Sequence, residues 1–325
     1  MRTDPVLVVV DHVDGALTTP SAEVLTLART LTTGPVDAVA LTTPDLAALG
    51  RYGARAVHVP QLDGLAPSVS AVAAEAVLAA VHGVEPAAVL LVSTFAGKEL
   101  AARLAVSLGS GAIVDATGVE ASDDGLVASK VVLQGTWSTT CRVTSGVPVI
   151  AVKPTVVDAE PAEQDETADV PEVVDVPVTF SATARAVQVL SRTEHPRGRA
   201  PLTEARTVVV GGRGVEGDFS LVTELADEIG ATVGATRVAT DEGWIDHAAQ
   251  VGQTGVTISP RLYIGVGVSG AIHHTAGMQS AQTIVAVNND TDAPIFEMAD
   301  LGVVGDLNDI IPQALTELRR RKAQQ

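Results

Sequence analysis

The chain has 325 residues, 46% of them hydrophobic, which is enough for two domains with cores of their own. Its net charge of −18 at pH 7 argues against nucleic acid and anionic membranes as partners, because both would repel it. The single cysteine, Cys141, excludes an internal disulfide. No secretory signal is visible, and no run approaches the roughly 18 to 20 apolar residues of a membrane span. We therefore expect a cytoplasmic protein that is not inserted in a membrane.

Aromatic residues make up only 2% of the chain, so the cores must be built from Val, Ala, Leu and Ile, which suits buried parallel strands. In the first half, apolar strands are predicted at 6–10, 36–41, 56–59, 89–92 and 113–114. Helices are predicted at 21–31, 44–52, 69–81 and 95–108. Ser21 is the expected N-cap of the first helix, and Asp123-Asp-Gly125 predicts the turn of a hairpin. Strands that alternate with helices predict a parallel sheet with helical crossovers.

The middle of the chain predicts a domain boundary. The run 156–176 is acidic and contains proline, which predicts a loop or linker, and 187–191 predicts one further strand. Prolines and a glycine then interrupt residues 195–201, so we place the boundary there. The predicted fold class is α/β, with an N-terminal parallel-sheet domain over 1–195 and a C-terminal Rossmann-like domain over 196–325.

The second half begins again with strands and glycine turns. Strands are predicted at 207–210, 232–235, 261–264 and 283–287. One helix is predicted over 218–229, with Gly230 as its stop, and a closing helix over 312–322, with Pro312 tolerated in its first turn. Ligands of such open α/β sheets bind beyond the carboxyl ends of the strands.

Two glycine-rich turns follow strands in this half. Residues 265–270 have the spacing G-x-G-x-x-G, and Arg213 lies within a Gly-Gly-Arg-Gly turn. Glycines let backbone N–H groups approach a phosphate, and a following helix would add its N-terminal dipole. Ordinary tight turns are the alternative interpretation. His273 and His274 come next, which suggests that the same turn serves both a phosphate and a group that needs an imidazole.

A polar loop indicates the kind of ligand, and several missing motifs exclude classes of reaction. Gln253 and Thr254 lie in a stretch without helical or strand period, where their amide and hydroxyl groups can bond a heteroaromatic edge; a solvated loop is the alternative. Adjacent histidines point in different directions, and no C-x-x-C or H-x-x-x-H accompanies them, so we expect no metal site. No Ser-His-Asp order, nucleophile elbow or P-loop is present, which argues against hydrolysis and phosphoryl transfer.

Several of these stretches together resemble a known family. Residues 199–325 closely resemble the C-terminal FAD domain of the electron transfer flavoprotein alpha subunit. The matching stretches are 208–214, 234–237, 250–255, 262–288, 293–296 and 305–307. The N-terminal half is similar to the family at 95–105 and 147–154, so the resemblance spans nearly the whole chain.

The resemblance implies an FAD site built mainly by the C-terminal domain and finished by the beta subunit. The implied cofactor-binding residues are Arg213, Thr236, Arg237, Val251, Gly252, Gln253, Thr254, Ser269, Gly270, Ala271, Ile272, His273, His274, Asn288, Asp306 and Leu307. In the family the two arginines contact FAD, the second of them at the flavin ring. The 250–255 loop lies near the N5–O4 edge, the second histidine near O2, and the last three residues near the adenosine.

Three positions of the FAD domain depart from the family pattern. Thr236 replaces a serine and keeps its hydroxyl, His273 replaces a glutamine, and Asn289 replaces a common lysine. The histidine can still donate a hydrogen bond, whereas the asparagine removes a positive charge near the cofactor.

The resemblance further implies an electron carrier without catalytic residues of its own. FAD would accept electrons from flavoprotein dehydrogenases, such as the acyl-CoA dehydrogenases of fatty acid β-oxidation, and pass them to a membrane quinone oxidoreductase. The family is heterodimeric, so a beta subunit is the expected partner. One alternative is an electron-bifurcating version of the same carrier. Another is a nicotinamide-dependent dehydrogenase that uses the 265–270 turn, although residues 288–290 only partly supply the acid that such a fingerprint needs.

Overall fold

A computed structural model describes residues 3–133, 137–162, 170–191 and 199–324. The chain divides into two compact units, whose described parts are 3–132, 137–162 and 170–191 for the first, and 133 and 199–324 for the second. The boundary that the sequence predicts at 195–196 lies outside the described residues.

The first unit is built on a nine-stranded sheet. The strands of this unit are β1 Val6–Val10, β2 His12–Val13, β3 Ala16–Leu17, β4 Val36–Ala40, β5 Ala56–Pro60, β6 Ala88–Val92, β7 Ala112–Ser122, β8 Gly125–Val132, β9 Trp137–Cys141, β10 Val149–Val152 and β11 Glu172–Val176. The short β2 and β3 pair only with each other. The sheet order is β11-β5-β4-β1-β6-β10-β7-β8-β9.

The parallel sheet predicted for this unit is confirmed from β11 through β7. It continues into β8 and β9, which are antiparallel, and the hairpin predicted around Asp123 joins β7 to β8. The sequence did not predict β9 because most of its side chains are exposed, which leaves no alternating pattern. The predicted linker over 156–176 is wrong at its end, where β11 adds a parallel edge strand beside β5.

Helices cover both faces of this sheet. They are α1 Thr19–Leu31, α2 Leu46–Arg51, α3 Ser70–Val84, α4 Phe95–Ser107 and α5 Ala182–Ala186. The predicted cap of α1 is wrong by one turn: Thr18 caps the helix and accepts a hydrogen bond from the backbone N–H of Ser21. The strand predicted at 187–191 is also wrong, because no ladder is formed there and Leu190 is 91% exposed.

The second unit is a five-stranded, wholly parallel sheet. Its strands are β12 Thr207–Gly211, β13 Thr232–Ala235, β14 Leu262–Val266, β15 Thr283–Asn288 and β16 Leu301–Val304. Their order is β13-β12-β14-β15-β16. The chain leaves β12 first to one side and later to the other, so the point between β12 and β14 is the switch point, where open α/β sheets bind ligands.

The helices of the second unit vary greatly in length. They are α6 Ser220–Ile229, α7 Arg237–Asp241, α8 Ile272–Thr275 and α9 Leu307–Lys322, with short 3-10 turns at Arg213–Val215, His247–Ala249 and Pro294–Glu297. Gly230 ends α6 in the left-handed conformation, as predicted. The predicted start of α9 is wrong, since Asp306 caps the helix through the N–H of Asn308 and places Pro312 in the second turn.

Candidate functional site

Every residue that the sequence assigns to the cofactor lies at the carboxyl edge of the second sheet or in the loop that joins it. Arg213 follows β12, residues 236–237 follow β13, residues 269–274 follow β14, Asn288 ends β15, and residues 306–307 follow β16. Because all five strands are parallel, these segments emerge at one edge. The fold therefore brings together segments that are nearly a hundred residues apart.

The two glycine turns pack directly against each other at the switch point. The backbone N–H of Gly214 donates to the carbonyl of Gly267 at 3.0 Å. A Cβ on Gly212 would lie 2.3 Å from the same carbonyl oxygen, so no larger residue fits. These glycines thus make possible the close approach of the two turns, in addition to leaving their outer surface open to a ligand.

The G-x-G-x-x-G spacing serves a purpose that the sequence did not predict. Gly265 lies inside β14, where a Cβ would come 3.0 Å from the ring of Tyr263, so the missing side chain makes room for the tyrosine. Gly270 has φ +86°, and a Cβ there would lie 2.3 Å from the backbone nitrogen of Ile295. The helix that follows, α8, has four residues, far fewer than the helix of a dinucleotide-binding βαβ unit.

The polar loop 250–255 docks onto the segment after β14. The N–H of Gln253 donates to the carbonyl of His273 at 2.7 Å, and the N–H of Val251 donates to Ala235 at 2.9 Å. Val251 and Gly252 are buried, whereas Gln253 and Thr254 are exposed. The loop prediction is confirmed, and the polar side chains face away from the core.

The two histidines have opposite environments. His274 is 6% exposed, with Nδ1 2.9 Å from the Val251 carbonyl and Nε2 2.7 Å from the hydroxyl of Tyr263. A carbonyl only accepts, so the proton sits on Nδ1 and Nε2 accepts from the tyrosine. Burial lowers the pKa of His274 to about 4 and raises that of Tyr263, so both are neutral. In this arrangement both ring nitrogens of His274 are occupied by the chain.

His273 is exposed and belongs to an outward-facing strip. Its Nδ1 lies 2.9 Å from Oε1 of Gln253, which leaves its Nε2 and the amide NH₂ group of the glutamine for a ligand. Ser269, Ala271 and Ile272 are exposed beside it, while Gly270 is buried between them. The imidazole that faces outward is thus the one at the position that departs from the family pattern.

The two arginines on the other side of the switch point differ in whether a carboxylate of the chain already pairs with them. Arg213 is exposed in its glycine turn and has no ion pair within the described residues. Thr236 is the N-cap position of α7, although its side chain makes no capping bond. Arg237 begins α7 and pairs with Asp241 at 3.1 Å, with 62% of its side chain exposed. A planar guanidinium suits phosphate oxygens and the face of an aromatic ring.

The remaining predicted residues shape the edge more than they face outward. The side chain of Asn288 donates to the carbonyl of Val268 at 2.8 Å and accepts from the N–H of Asp290. Asp306 caps α9, and Leu307 packs against the core under that helix. Asn288 thus ties two of the loops together.

Sequence reasoning gave no role to three residues that hold side chains of the site, namely Tyr263, Gln250 and Thr240. Tyr263 reaches His274 across a glycine, and Gln250 lies between Thr240 and Thr254, bonded to both. A tyrosine two residues before a glycine on a buried strand was the only visible signal, because the glutamine and threonine touch only after the loop folds back.

Comparison with known families was decisive. Residues 6–179 match the electron transfer flavoprotein domain, and residues 201–279 match the electron transfer flavoprotein FAD-binding domain. The chain belongs to the electron transfer flavoprotein alpha subunit family. It carries the FAD-binding domain of that family, and FAD is its cofactor. The family consists of electron carriers rather than catalytic enzymes, and its alpha subunits imply a heterodimer with a beta subunit.

Individual relatives cover most of the chain or nearly all of it. The electron transfer flavoprotein subunit alpha of Mycobacterium leprae is 42% identical over 326 residues, which cover 97% of this chain and 98% of the relative. That of Mycobacterium tuberculosis is 43% identical over 324 residues, covering 98% and 99%. That of Syntrophomonas wolfei is 39% identical over 273 residues, covering 83% and 84%.

The donor set at the edge fits this cofactor. An exposed arginine in a glycine turn suits a pyrophosphate, and exposed amide, hydroxyl and imidazole groups suit the polar edge of a flavin. None of the helices in the described part of the chain is long and apolar enough to span a membrane. Within the same residues, no group of three or more His, Cys, Asp or Glu side chains is placed to hold a metal ion.

Proposed function

We propose that this chain is the alpha subunit of a cytoplasmic heterodimeric electron carrier whose FAD binds at the carboxyl edge of the second sheet. Flavoprotein dehydrogenases, such as acyl-CoA dehydrogenases, would reduce the bound FAD, and a membrane quinone oxidoreductase would accept the electrons. The beta subunit would complete the pocket. The proposal gives no residue a role in substrate turnover.

One observation carries the proposal. The segments that the family resemblance assigns to FAD emerge at one sheet edge, and this edge contains the switch point between β12 and β14. Within it, exposed polar groups remain on both sides of the packed glycine turns, with Arg213 on one side and Gln253 and His273 on the other.

Different residues would bind different parts of FAD. Arg213 would bind phosphate oxygens, and Arg237 would lie beside the flavin ring. Gln253, Thr254 and His273 would hydrogen-bond the polar edge of the ring. Ser269 through Ile272 would line the surface between these groups, and Asn288, Asp306 and Leu307 would shape the adenosine end. When bound, FAD supplies the electron-accepting chemistry, and the chain orients it and sets its electrostatic surroundings.

The test is to co-express the chain with a beta subunit and to record the visible spectrum of the purified complex. We expect flavin bands and about one FAD per complex, and we expect FAD to be lost more readily from the isolated alpha chain. Addition of an acyl-CoA dehydrogenase with its substrate should bleach these bands. A colourless complex that binds NAD would contradict the proposal and favour a nicotinamide-dependent dehydrogenase. A second flavin in the complex, reduced by a nicotinamide, would instead favour the bifurcating carrier.

A further inference from the structure

A buried hydrogen-bond chain connects the two predicted sides of the flavin site. The hydroxyl of Thr240 lies 2.9 Å from the carbonyl of Arg237 and 2.9 Å from Oε1 of Gln250. The other end of the Gln250 amide, Nε2, lies 3.0 Å from the hydroxyl oxygen of Thr254. Thr240 is 2% exposed and Gln250 6% exposed, whereas Thr254 is exposed. These hydrogen bonds therefore run from the interior to the surface that is proposed to face the flavin.

Proton counting shows that this chain has two possible directions. A threonine hydroxyl carries one proton, so Thr240 can donate to the Arg237 carbonyl or to the Gln250 amide oxygen, but not to both. If it donates to Gln250, the amide NH₂ donates to Thr254, whose own proton then points outward. If it donates to Arg237, the amide turns over, so that its NH₂ donates to Thr240 and its oxygen accepts a hydrogen bond from the hydroxyl of Thr254.

We propose that Gln250 is a positioning residue, which decides through this chain whether Thr254 presents a proton or an oxygen lone pair to the bound flavin. The inference rests on the proposed binding of FAD at this edge. It assigns a role to Gln250 and Thr240, neither of which is among the residues predicted to touch the cofactor.

The chemistry of a flavin gives such a relay a use. The flavin nitrogen N5, near which the family resemblance places the 250–255 loop, has a lone pair in the oxidised ring and needs a hydrogen-bond donor. After two-electron reduction the same nitrogen carries N–H and needs an acceptor. One hydroxyl whose direction can reverse satisfies both states without moving any backbone atom. Burial of the amide strengthens the coupling, because each of its two ends has a partner and leaving one unpaired would be costly.

The variant Gln250→Glu separates the relay from a simple electrostatic effect. An ionised carboxylate only accepts, so it would hold the proton of Thr254 inward and leave an acceptor facing the flavin. That direction favours the reduced ring and raises the potential. The negative charge itself acts in the opposite direction, since it opposes the addition of electrons. The two effects have opposite signs and can be distinguished in a double-mutant cycle.

The experiment measures the two-electron midpoint potential and FAD dissociation constant of the alpha–beta complex, carrying Gln250→Glu, Thr254→Val, or both. We expect Gln250→Glu to shift the midpoint potential more positively in the wild-type background than in the Thr254→Val background. The difference between the two shifts should be about 30 mV, which is about tenfold in the two-electron redox equilibrium. The Thr254→Ser background, which keeps the hydroxyl, should retain this difference. Thr316→Val, which removes a hydroxyl bonded to the Pro312 carbonyl in α9, should shift nothing.

Equal shifts from Gln250→Glu in both backgrounds would overturn the relay, because the glutamate would then act by its charge alone. If the Gln250→Glu complex does not fold, Thr240→Val provides the same cycle: it should alter the potential with Thr254 present and leave it unchanged in the Thr254→Val background. A wild-type complex that takes up no FAD overturns the proposed function as well, whereas FAD uptake with equal shifts overturns only the relay.

Discussion

The carboxyl edges of the two sheets use their polar residues in different ways. At the first sheet, Ser93 after β6 donates to Asp115 at 3.0 Å, and Lys98 in the first turn of α4 lies 2.8 Å from the same carboxylate. These groups satisfy one another. At the second sheet, Arg213 is exposed and keeps its donors, and His273 is exposed and keeps Nε2, with no residue of the described chain using them. The groups named at the first edge thus pair with one another, although the buried Nδ1 of His12 after β1 has no partner in the described chain, whereas those at the second edge stay available to a cofactor.

A second difference lies in the loops. In the second unit the turns after β12 and β14 touch through backbone atoms, and the 250–255 loop is fastened to residues 271–274. The predicted ligand-facing side chains therefore stand on loops that are held by several bonds each. This matters for a redox cofactor, because small displacements of its surroundings change its potential.

The largest expected effect comes from breaking the loop packing at Gly270. Gly270→Ala places a methyl group 2.3 Å from the backbone of Ile295 at φ +86°, where neither group can retreat. We expect a loss of about 3–5 kcal/mol in the free energy of unfolding of the second unit, with loss of FAD. The matched control is Gly243→Ala, with φ +71° and nothing within 4 Å, which should lose about 1–2 kcal/mol and keep FAD. Chemical denaturation with and without FAD measures both, and equal losses would contradict the packing account.

The segment around Gly270 also shows which features could be predicted from the sequence and which could not. The run from 262 to 288 predicted the strands, the turn between them and the site, because buried parallel strands are continuous apolar runs followed by glycine. It could not predict that Gly265 accommodates a tyrosine or that α8 has only one turn. The pairing of β11 with β5 joins segments far apart in the chain, and the exposed residues of β11 carry no hydrophobic pattern. The capping of α9 by Asp306 and the contact of Gly265 with Tyr263 are local, within two residues, but they depend on side-chain geometry that residue spacing alone does not show.

The second expected effect is a pH dependence set by His274. Its folded-state pKa of about 4 lies below the unfolded value of about 6.5, so the unfolded chain binds the proton first as pH falls. The stability contributed by the neutral histidine is complete above pH 6.5 and is lost between pH 6.5 and 4, by about 3 kcal/mol. His274→Gln should remove this part of the pH dependence. Unfolding curves of both proteins across this range measure the difference, and parallel curves would show that His274 is not buried as a neutral group.

A smaller effect is expected at Arg237, which the structure places on the surface rather than in a partly buried position. Arg237→Ala should lower the one-electron potential of bound FAD, with a change of about two- to threefold in the equilibrium constant for reduction. The effect is small because an exposed cation beside the ring is screened by water. Arg237→Lys should recover part of the effect, since lysine lacks the planar face. Anaerobic reductive titration of the complex measures it. An unchanged potential in a variant that retains FAD would remove Arg237 from the surroundings of the ring.

The smallest effect is expected at the carboxyl edge of the first sheet, and an effect on FAD there would contradict the contrast between the two edges. Lys98→Met removes the ammonium that pairs with Asp115 but keeps much of the length of the side chain. Because both groups are more than a third exposed, the pair should contribute less than about 1 kcal/mol to stability. FAD content and potential of the complex should stay at wild-type values, since the paired edge has no part in holding the cofactor. If the FAD content falls while the unfolding transition of the first unit is unchanged, polar groups of the first edge act on the cofactor too, and the contrast between the two edges is wrong.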